Sequence, residues 1–134
     1  MKITYNTISV LAVEDEPINQ MVLKAFFKTL ELNAKVVATG HEALAAVQNE
    51  HHIYDLVFMD LGLPDMTGLE ASKEIRQFEQ KNNLDPLYIC ALTATDDAKK
   101  QQECLSVGMN QFMTKPITME RIEQLLQVFH LTDH

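Results

Sequence analysis

Short apolar runs alternate along this chain with longer stretches of helical spacing. The runs fall at residues 8–13, 35–38, 56–59, 87–92 and 111–114, and several are rich in Val, Ile and aromatic residues, as strands prefer. Between them Ile18, Met21, Val22, Ala25 and Thr29 step along one face of a helix, and Met119, Ile122, Leu125, Leu126 and Phe129 do so near the end. Helix starts carry their own marks. Thr39-Gly40-His41-Glu42 and Thr67-Gly68-Leu69-Glu70 both fit a capping box, in which the Thr oxygen and the Glu carboxylate satisfy orphan backbone amides reciprocally. Pro17 suits a first helical position, Asp96 an N-cap, and Gly108 the left-handed residue past a helix end.

Strands alternating with helices, with runs apolar on both faces, predict an α/β fold: a parallel sheet covered by helices on each side. In such open sheets the ligand crevice lies at the carboxyl ends of the strands. Those ends carry Glu14-Asp15-Glu16 after the first run, Asp60 after the third, Thr93-Ala94-Thr95 after the fourth and Lys115-Pro116 after the fifth. The second run ends at Thr39-Gly40, without an acid. Within YDLVFMDLGLPDMTGLE, residues 54–70, a strand buried on both faces delivers Asp60 to its own tip, followed by Gly62 and Pro64.

Composition narrows the class. With 134 residues, 46% hydrophobic and 22% charged, we expect one domain over residues 1–134 with a core of residues 8–129. No repeat, low-complexity tract or linker interrupts it. The formal net charge of -8, with Lys24, Lys28, Lys73, Arg76 and Lys99 scattered, argues against a nucleic-acid surface. Cys90 and Cys104 have neither C-x-x-C spacing nor a disulfide framework, so both read as free buried thiols in a reducing compartment. The run at 8–13 is too short for a signal-peptide core, and no stretch approaches the roughly 20 apolar residues of a membrane span. A soluble, cytoplasmic protein that does not itself insert in a membrane is expected.

Carboxylates gathered at one strand edge repel, and one would take up a proton unless a cation compensated. Hard oxygen ligands with room for water suit Mg²⁺, which is held by one or two carboxylates together with phosphate oxygens. Thr93 can then donate to a phosphoryl oxygen and Lys115 neutralise another, a positioning and electrostatic route to phosphoryl transfer, with Asp60 as the nucleophile that forms an acyl phosphate. Taken singly, these residues have ordinary readings: acids favoured at a helix start, a threonine in a turn, a solvated lysine. Together they describe a site. The histidines His41, His51, His52, His130 and His134 have neither phosphodonor nor zinc-ligand placement and are expected to be solvated, the last two in a tail beyond the final helix.

Four motifs then make the chain recognisable: VEDE at 13–16, MDLGLPDMTG at 59–68, ALTA at 91–94 and FMTKP at 112–116. In this order and spacing they resemble the receiver domains of two-component response regulators, over residues 9–129. The resemblance implies a flavodoxin-like (βα)5 doubly wound sheet with strand order 2-1-3-4-5 and a cis Lys115-Pro116 bond. It implies a phosphoacceptor, rather than a turnover enzyme, that catalyses its own phosphorylation and dephosphorylation. Asp60 would take the phosphoryl group from a phosphohistidine. Asp15, Asp60 and the carbonyl of Gly62 would hold Mg²⁺, with Glu14 assisting, and Lys115 would pair with Asp60 and then with the phosphoryl group. Thr93 and Phe112 would form the conformational switch. Glu14 stands where many members have Asp, Phe112 replaces the commoner Tyr, and Gly62 and Thr95 occupy positions that tune acyl-phosphate lifetime.

The opening Glu14 to Gln20 looks like that of receivers fused to hybrid sensor histidine kinases. In that setting the partners would be a histidine kinase domain and a histidine phosphotransfer domain docking near Ile18, Asn19 and Val22. The parent chain would then be a kinase, membrane-bound or not, from which this piece is excised. A stand-alone response regulator acting by protein contact, for which Met1 would suit a natural start, stays open, as do a homodimer and a non-phosphorylated binding module. A phosphatase of the haloacid-dehalogenase type needs an acid where Gly62 stands, and a flavodoxin-like cofactor carrier needs a phosphate loop where three acids stand; neither reading fits.

Overall fold

The computed structural model describes residue 5 and residues 7–132, the last three by backbone alone. In chain order the elements are β1 (Ser9–Val13), α1 (Pro17–Thr29), β2 (Asn33–Val37), α2 (Gly40–Glu50), a 3-10 turn (His51–Ile53), β3 (Leu56–Asp60), α3 (Gly68–Lys81), β4 (Tyr88–Thr93), α4 (Ala98–Ser106), β5 (Gln111–Thr114) and α5 (Met119–Thr132). All strands run parallel in the order β2-β1-β3-β4-β5, the order expected.

Because successive strand residues face opposite sides, the sheet divides the core in two. Val10, Ala12, Leu56, Phe58, Cys90 and Leu92 pack under α1 and α5 with Leu23, Phe27, Ile122 and Leu126. Leu11, Val13, Val57, Met59, Ile89 and Ala91 pack under α2, α3 and α4 with Ala43, Val47, Ala71, Ile75 and Cys104. Every residue of β3 is buried, as a central parallel strand requires. Cys90 and Cys104 are free and buried, and burial pushes the Cys90 thiol up to about 12 and raises that of Cys104, so neither supplies a thiolate at neutral pH.

Helix ends follow the local chemistry with three differences. Thr39 and Thr67 cap α2 and α3 by accepting from the amides of Glu42 and Glu70. The return arms differ from the expected box, since Glu42 accepts from the Ala38 amide and the Thr39 hydroxyl and Glu70 from the Thr67 hydroxyl. The N-cap of α4 is Asp97, which accepts from the Lys100 amide, and not Asp96; Asp97 holds the extended backbone of the residue that directly precedes the first helical turn. On α1 the stripe Ile18, Met21, Val22, Ala25 and Thr29 faces solvent, while Leu23 and Phe27 enter the core. The helix carries two apolar stripes, and the sheet selects the one with the aromatic ring that stacks on Phe58. The last helix continues through His130 to Thr132 where a tail was expected, and Asp133 and His134 lie outside the described residues.

Two glycines are required by geometry. Gly108 has φ +91 past the end of α4, the left-handed role its position predicts. A Cβ on Gly68 would stand 2.3 Å from the Asp60 carbonyl oxygen, so glycine lets the start of α3 close against the tip of β3.

His51, expected to be solvated, is instead tied to the interior: its Nε2 lies 2.8 Å from Glu79 Oε2. Glu79 is buried on the Ala71-Ile75-Glu79 stripe of α3 and also accepts from the Leu87 amide at 2.7 Å and Arg76 Nη1 at 2.7 Å. Arg76 reaches on to the Gly108 carbonyl and Asn110. This knot joins α3, the turn after α2, the entry to β4 and the α4–β5 connection. The opposite case is Ser72, fully buried with no partner for its hydroxyl among the described residues. Ser72→Ala removes an unsatisfied polar atom without changing the packing volume much, so its thermal midpoint should equal or exceed the wild type; a clear drop in the melt would show that the hydroxyl is satisfied in solution.

Candidate functional site

The parallel register assembles one edge of the sheet from residues far apart in the chain. Val13 pairs with Met59, Asp60 with Leu92, and Thr93 with Thr114, so Glu14, Asp60, Thr93 and Lys115 emerge side by side. They line an open cleft of ≈ 470 Å³ together with Asp15, Glu16, Asn19, Gly62 and Lys100. One ligand oxygen from each of Glu14, Asp15 and Asp60 lies within 4.8 Å of the others, the first and last buried and Asp15 open to solvent at the rim. The donor set is all oxygen and anionic, which fits a small hard divalent cation.

The Lys115 Nζ bridges the two buried acids, 3.0 Å from Asp60 Oδ2 and 3.1 Å from Glu14 Oε1. Asp60 Oδ1 accepts the Gly62 amide at 3.0 Å, and Glu14 Oε2 accepts the Glu16 amide at 3.0 Å. Burial raises the Glu14 carboxyl above its ordinary range; the Glu16 amide opposes this, the charge of Asp60 adds to it, and Lys115 opposes it again. Burial works against the Lys115 ammonium too, but the hydrogen bonds and charges of Asp60 and Glu14 outweigh it and raise its pKa. Thr93 is buried and its hydroxyl accepts the Thr95 amide at 3.3 Å. Phe112 is half-buried against the α2–α4 side of the core. The Lys115-Pro116 bond is cis.

A family model described as the response regulator receiver domain matches residues 10–127. The chain belongs to this family. The receiver is 37% identical over 125 residues to hybrid signal transduction histidine kinase K of Dictyostelium discoideum, an alignment covering 90% of this chain and 10% of that protein. It spans from 5% to 26% of the length of similar curated relatives. Among solved structures it is similar to the receiver domain of Saccharomyces cerevisiae Ssk1, crystallised with the histidine phosphotransfer protein Ypd1, with TM-score 0.87, 32% identity and coverage of 93% of this chain and 90% of that one. It is also similar to the receiver domain of sensor histidine kinase PA1611 of Pseudomonas aeruginosa, which holds a magnesium ion in its active site cleft, with TM-score 0.78, 33% identity and coverage of 90% and 95%. No helix among the described residues is long and apolar enough to cross a membrane.

Residues that lie within the recognised stretches but were given no role there also shape the receiver's site. Asp65, in the loop after Asp60, accepts the amides of Gly40 and His41 at 2.8 and 2.9 Å and contacts the His41 ring. These donors outweigh desolvation and hold its carboxyl well below the usual range. The loop that carries Gly62 is thereby latched to the start of α2, and it folds back on itself through a bridge between Gly62 and Thr67. Gln20 donates to the Glu14 carbonyl at 2.6 Å, bracing the turn that presents Asp15. Neither contact has a local sequence signal, since the partners lie 25 and 6 residues apart.

Proposed function

We propose that this receiver accepts a phosphoryl group from a phosphohistidine onto Asp60 and passes it on within a phosphorelay. The observation that carries the reading is the Lys115 ammonium held 3.0 Å from a buried carboxylate that shares its edge with two further acids. The buried Asp60 carboxylate is the nucleophile: an O–P bond forms as the P–N bond of the phosphohistidine breaks, and the imidazole leaves with the electron pair. Lys115 is placed to leave Glu14 and follow the new negative charge, and the Thr93 hydroxyl to rotate from the Thr95 amide toward a phosphoryl oxygen. Phe112 would occupy the space that this rotation opens, linking site to surface. Glu14, Asp15, Asp60 and the Gly62 carbonyl are the groups that would hold Mg²⁺, whose chemistry is to neutralise phosphoryl oxygens. Self-catalysed transfer and hydrolysis belong to the same reading.

The whole of residues 1–134 reads as one receiver unit, in the cytoplasmic part of a hybrid sensor histidine kinase. Its partners are then a histidine kinase domain and a histidine phosphotransfer domain, and the exposed Ile18, Met21 and Val22 beside the cleft suit such docking. A stand-alone response regulator is the second reading, favoured by the likeness to Ssk1, itself named a response regulator.

The test is incubation with Mg²⁺ and acetyl phosphate followed by intact mass, a readout suited to a chain without Trp. One added phosphoryl group is expected, dependent on the metal and abolished in Asp60→Asn. Labelling that persists in Asp60→Asn would reject Asp60 as acceptor.

A further inference from the structure

Lys100 lines the same cleft as Asp60 and Lys115 although it belongs to α4 and to none of the four motifs. The cleft is lined by the acids Glu14, Asp15, Glu16 and Asp60 and by the lysines Lys115 and Lys100. Lys115 is committed to two of those acids. Lys100 is not: its ion pair is with Glu103, 3.5 Å away on its own helix, with side chains 34% and 40% exposed. A pair that long and that wet is weakly held, so the ammonium is free to turn. Its root is fixed all the same, because the Lys100 amide is tied to Asp97 at 3.0 Å in the cap of α4.

The placement is also unfavourable to the helix itself. Beyond the Asp97 cap, the first turn of α4 contains Lys99 and Lys100 and no acid, putting positive charge where the helix dipole is already positive. A cation that opposes its own helix yet borders a phosphoryl-accepting cleft is accounted for by what the cleft gains. Phosphorylation replaces the single negative charge of the Asp60 carboxylate by the larger charge of an acyl phosphate, and the added charge faces the loop between β4 and α4.

We infer that Lys100 is a second cation of the phosphoryl site, which exchanges Glu103 for the phosphoryl group, or for the incoming anionic donor, and so draws the first turn of α4 toward Asp60. The inference rests on Asp60 being the acceptor. It assigns Lys100 a specificity role: it favours donors that bring full negative charge to the mouth of the cleft, and it offers a point through which α4 senses the phosphorylated state.

The experiment compares wild type, Lys100→Gln, Lys100→Arg and Glu103→Gln in the full chain, with acetyl phosphate as donor and intact mass as readout, across a range of salt. Lys100→Gln should slow labelling about two- to fivefold at low ionic strength, the scale of one partly exposed charge contact. The gap should narrow as salt is raised, Lys100→Arg should restore the rate, and Glu103→Gln should label at least as fast as wild type. In parallel, the lysine side-chain carbon–proton NMR signals are followed as beryllofluoride and Mg²⁺ are added. The Lys100 signal should move with that of Lys115, and both should stay in place in Asp60→Asn. A Lys115 signal that moves while Lys100 does not, a Lys100→Gln rate equal to wild type, or a deficit indifferent to salt and to Lys100→Arg would each overturn the role of Lys100 while leaving Asp60 as acceptor. Failure of the wild type to label at all would remove Asp60 as acceptor and this inference with it.

Discussion

Replacing Glu79 with alanine is expected to lower the unfolding free energy by about 3–5 kcal/mol, the cost of breaking a buried ionic cluster by removing one partner. Glu79 is 2% exposed and is the shared acceptor for His51, Arg76 and the Leu87 amide. Its loss leaves that amide without an acceptor inside the protein and the Arg76 guanidinium without its acid. Glu79→Gln keeps an oxygen for one donor but gives up the charge, so it should fall between alanine and wild type. Urea midpoints at constant slope are the measurement. A midpoint for Glu79→Ala within experimental error of wild type would mean that this cluster contributes nothing net, as some buried ion pairs do when measured against apolar replacements.

Lys115→Met should have the second-largest effect, and its size should depend on pH. The substitution retains most of the aliphatic volume and removes the charge that separates Glu14 from Asp60. Because the Lys115 side chain is 27% exposed, the loss should be smaller than for a sealed cluster, about 2–3 kcal/mol at neutral pH. The sign of the pH dependence follows from the shifts. Glu14 has a folded pKa raised above its ordinary 4.5, so the folded state binds its proton more tightly and stability falls as pH rises from 4.5 through the raised value. Without Lys115 that fall should steepen, since the opposing ammonium is gone. Lys115 has a folded pKa raised above 10.5, so its stabilisation is fully present below 10.5 and is lost as pH climbs through the raised value. The difference between wild type and Lys115→Met should therefore be small in acid, open above pH 4.5, hold across the neutral range and close again in strong alkali. A difference that stays constant from acid to neutral pH would count against Glu14 as a partner of Lys115.

Much of this molecule can be read along the chain because its signals are local. Five apolar runs, two Thr-x-x-Glu starts, Pro17 and Gly108 each depend on a handful of neighbouring residues, and the structure keeps all of them, with strand ends either unchanged or shifted by at most two positions. The cleft was legible for a related reason. A parallel sheet places all its carboxyl ends on one edge, so acids at two tips, a hydroxyl at a third and an amine at a fourth meet once the strands pair.

What the chain did not disclose are choices made between local equivalents. Asp96 and Asp97 are the same residue type side by side, and only the path of the chain into α4 decides which one caps it. The two apolar stripes of α1 have comparable periodicity, and the ring of Phe27, stacked on Phe58 of the sheet face that α1 covers, settles which is buried. Glu79 did leave a trace, an acid on the stripe of Ala71 and Ile75, but its partners His51 and Leu87 come from elsewhere in the chain.

The kinds of group in the cleft, and the order of strands and helices that presents them, are properties of residue spacing and turn chemistry. Their distances are not. Lys115 meets Asp60 and Glu14 across separations of 55 and 101 residues, and Asp65 meets the α2 amides across 25, contacts that exist only after parallel register has aligned the strands. Local periodicity is a matter of rotation about neighbouring bonds, whereas a 3.0 Å ion pair requires the whole sheet to be in place, and that division explains which features were visible beforehand.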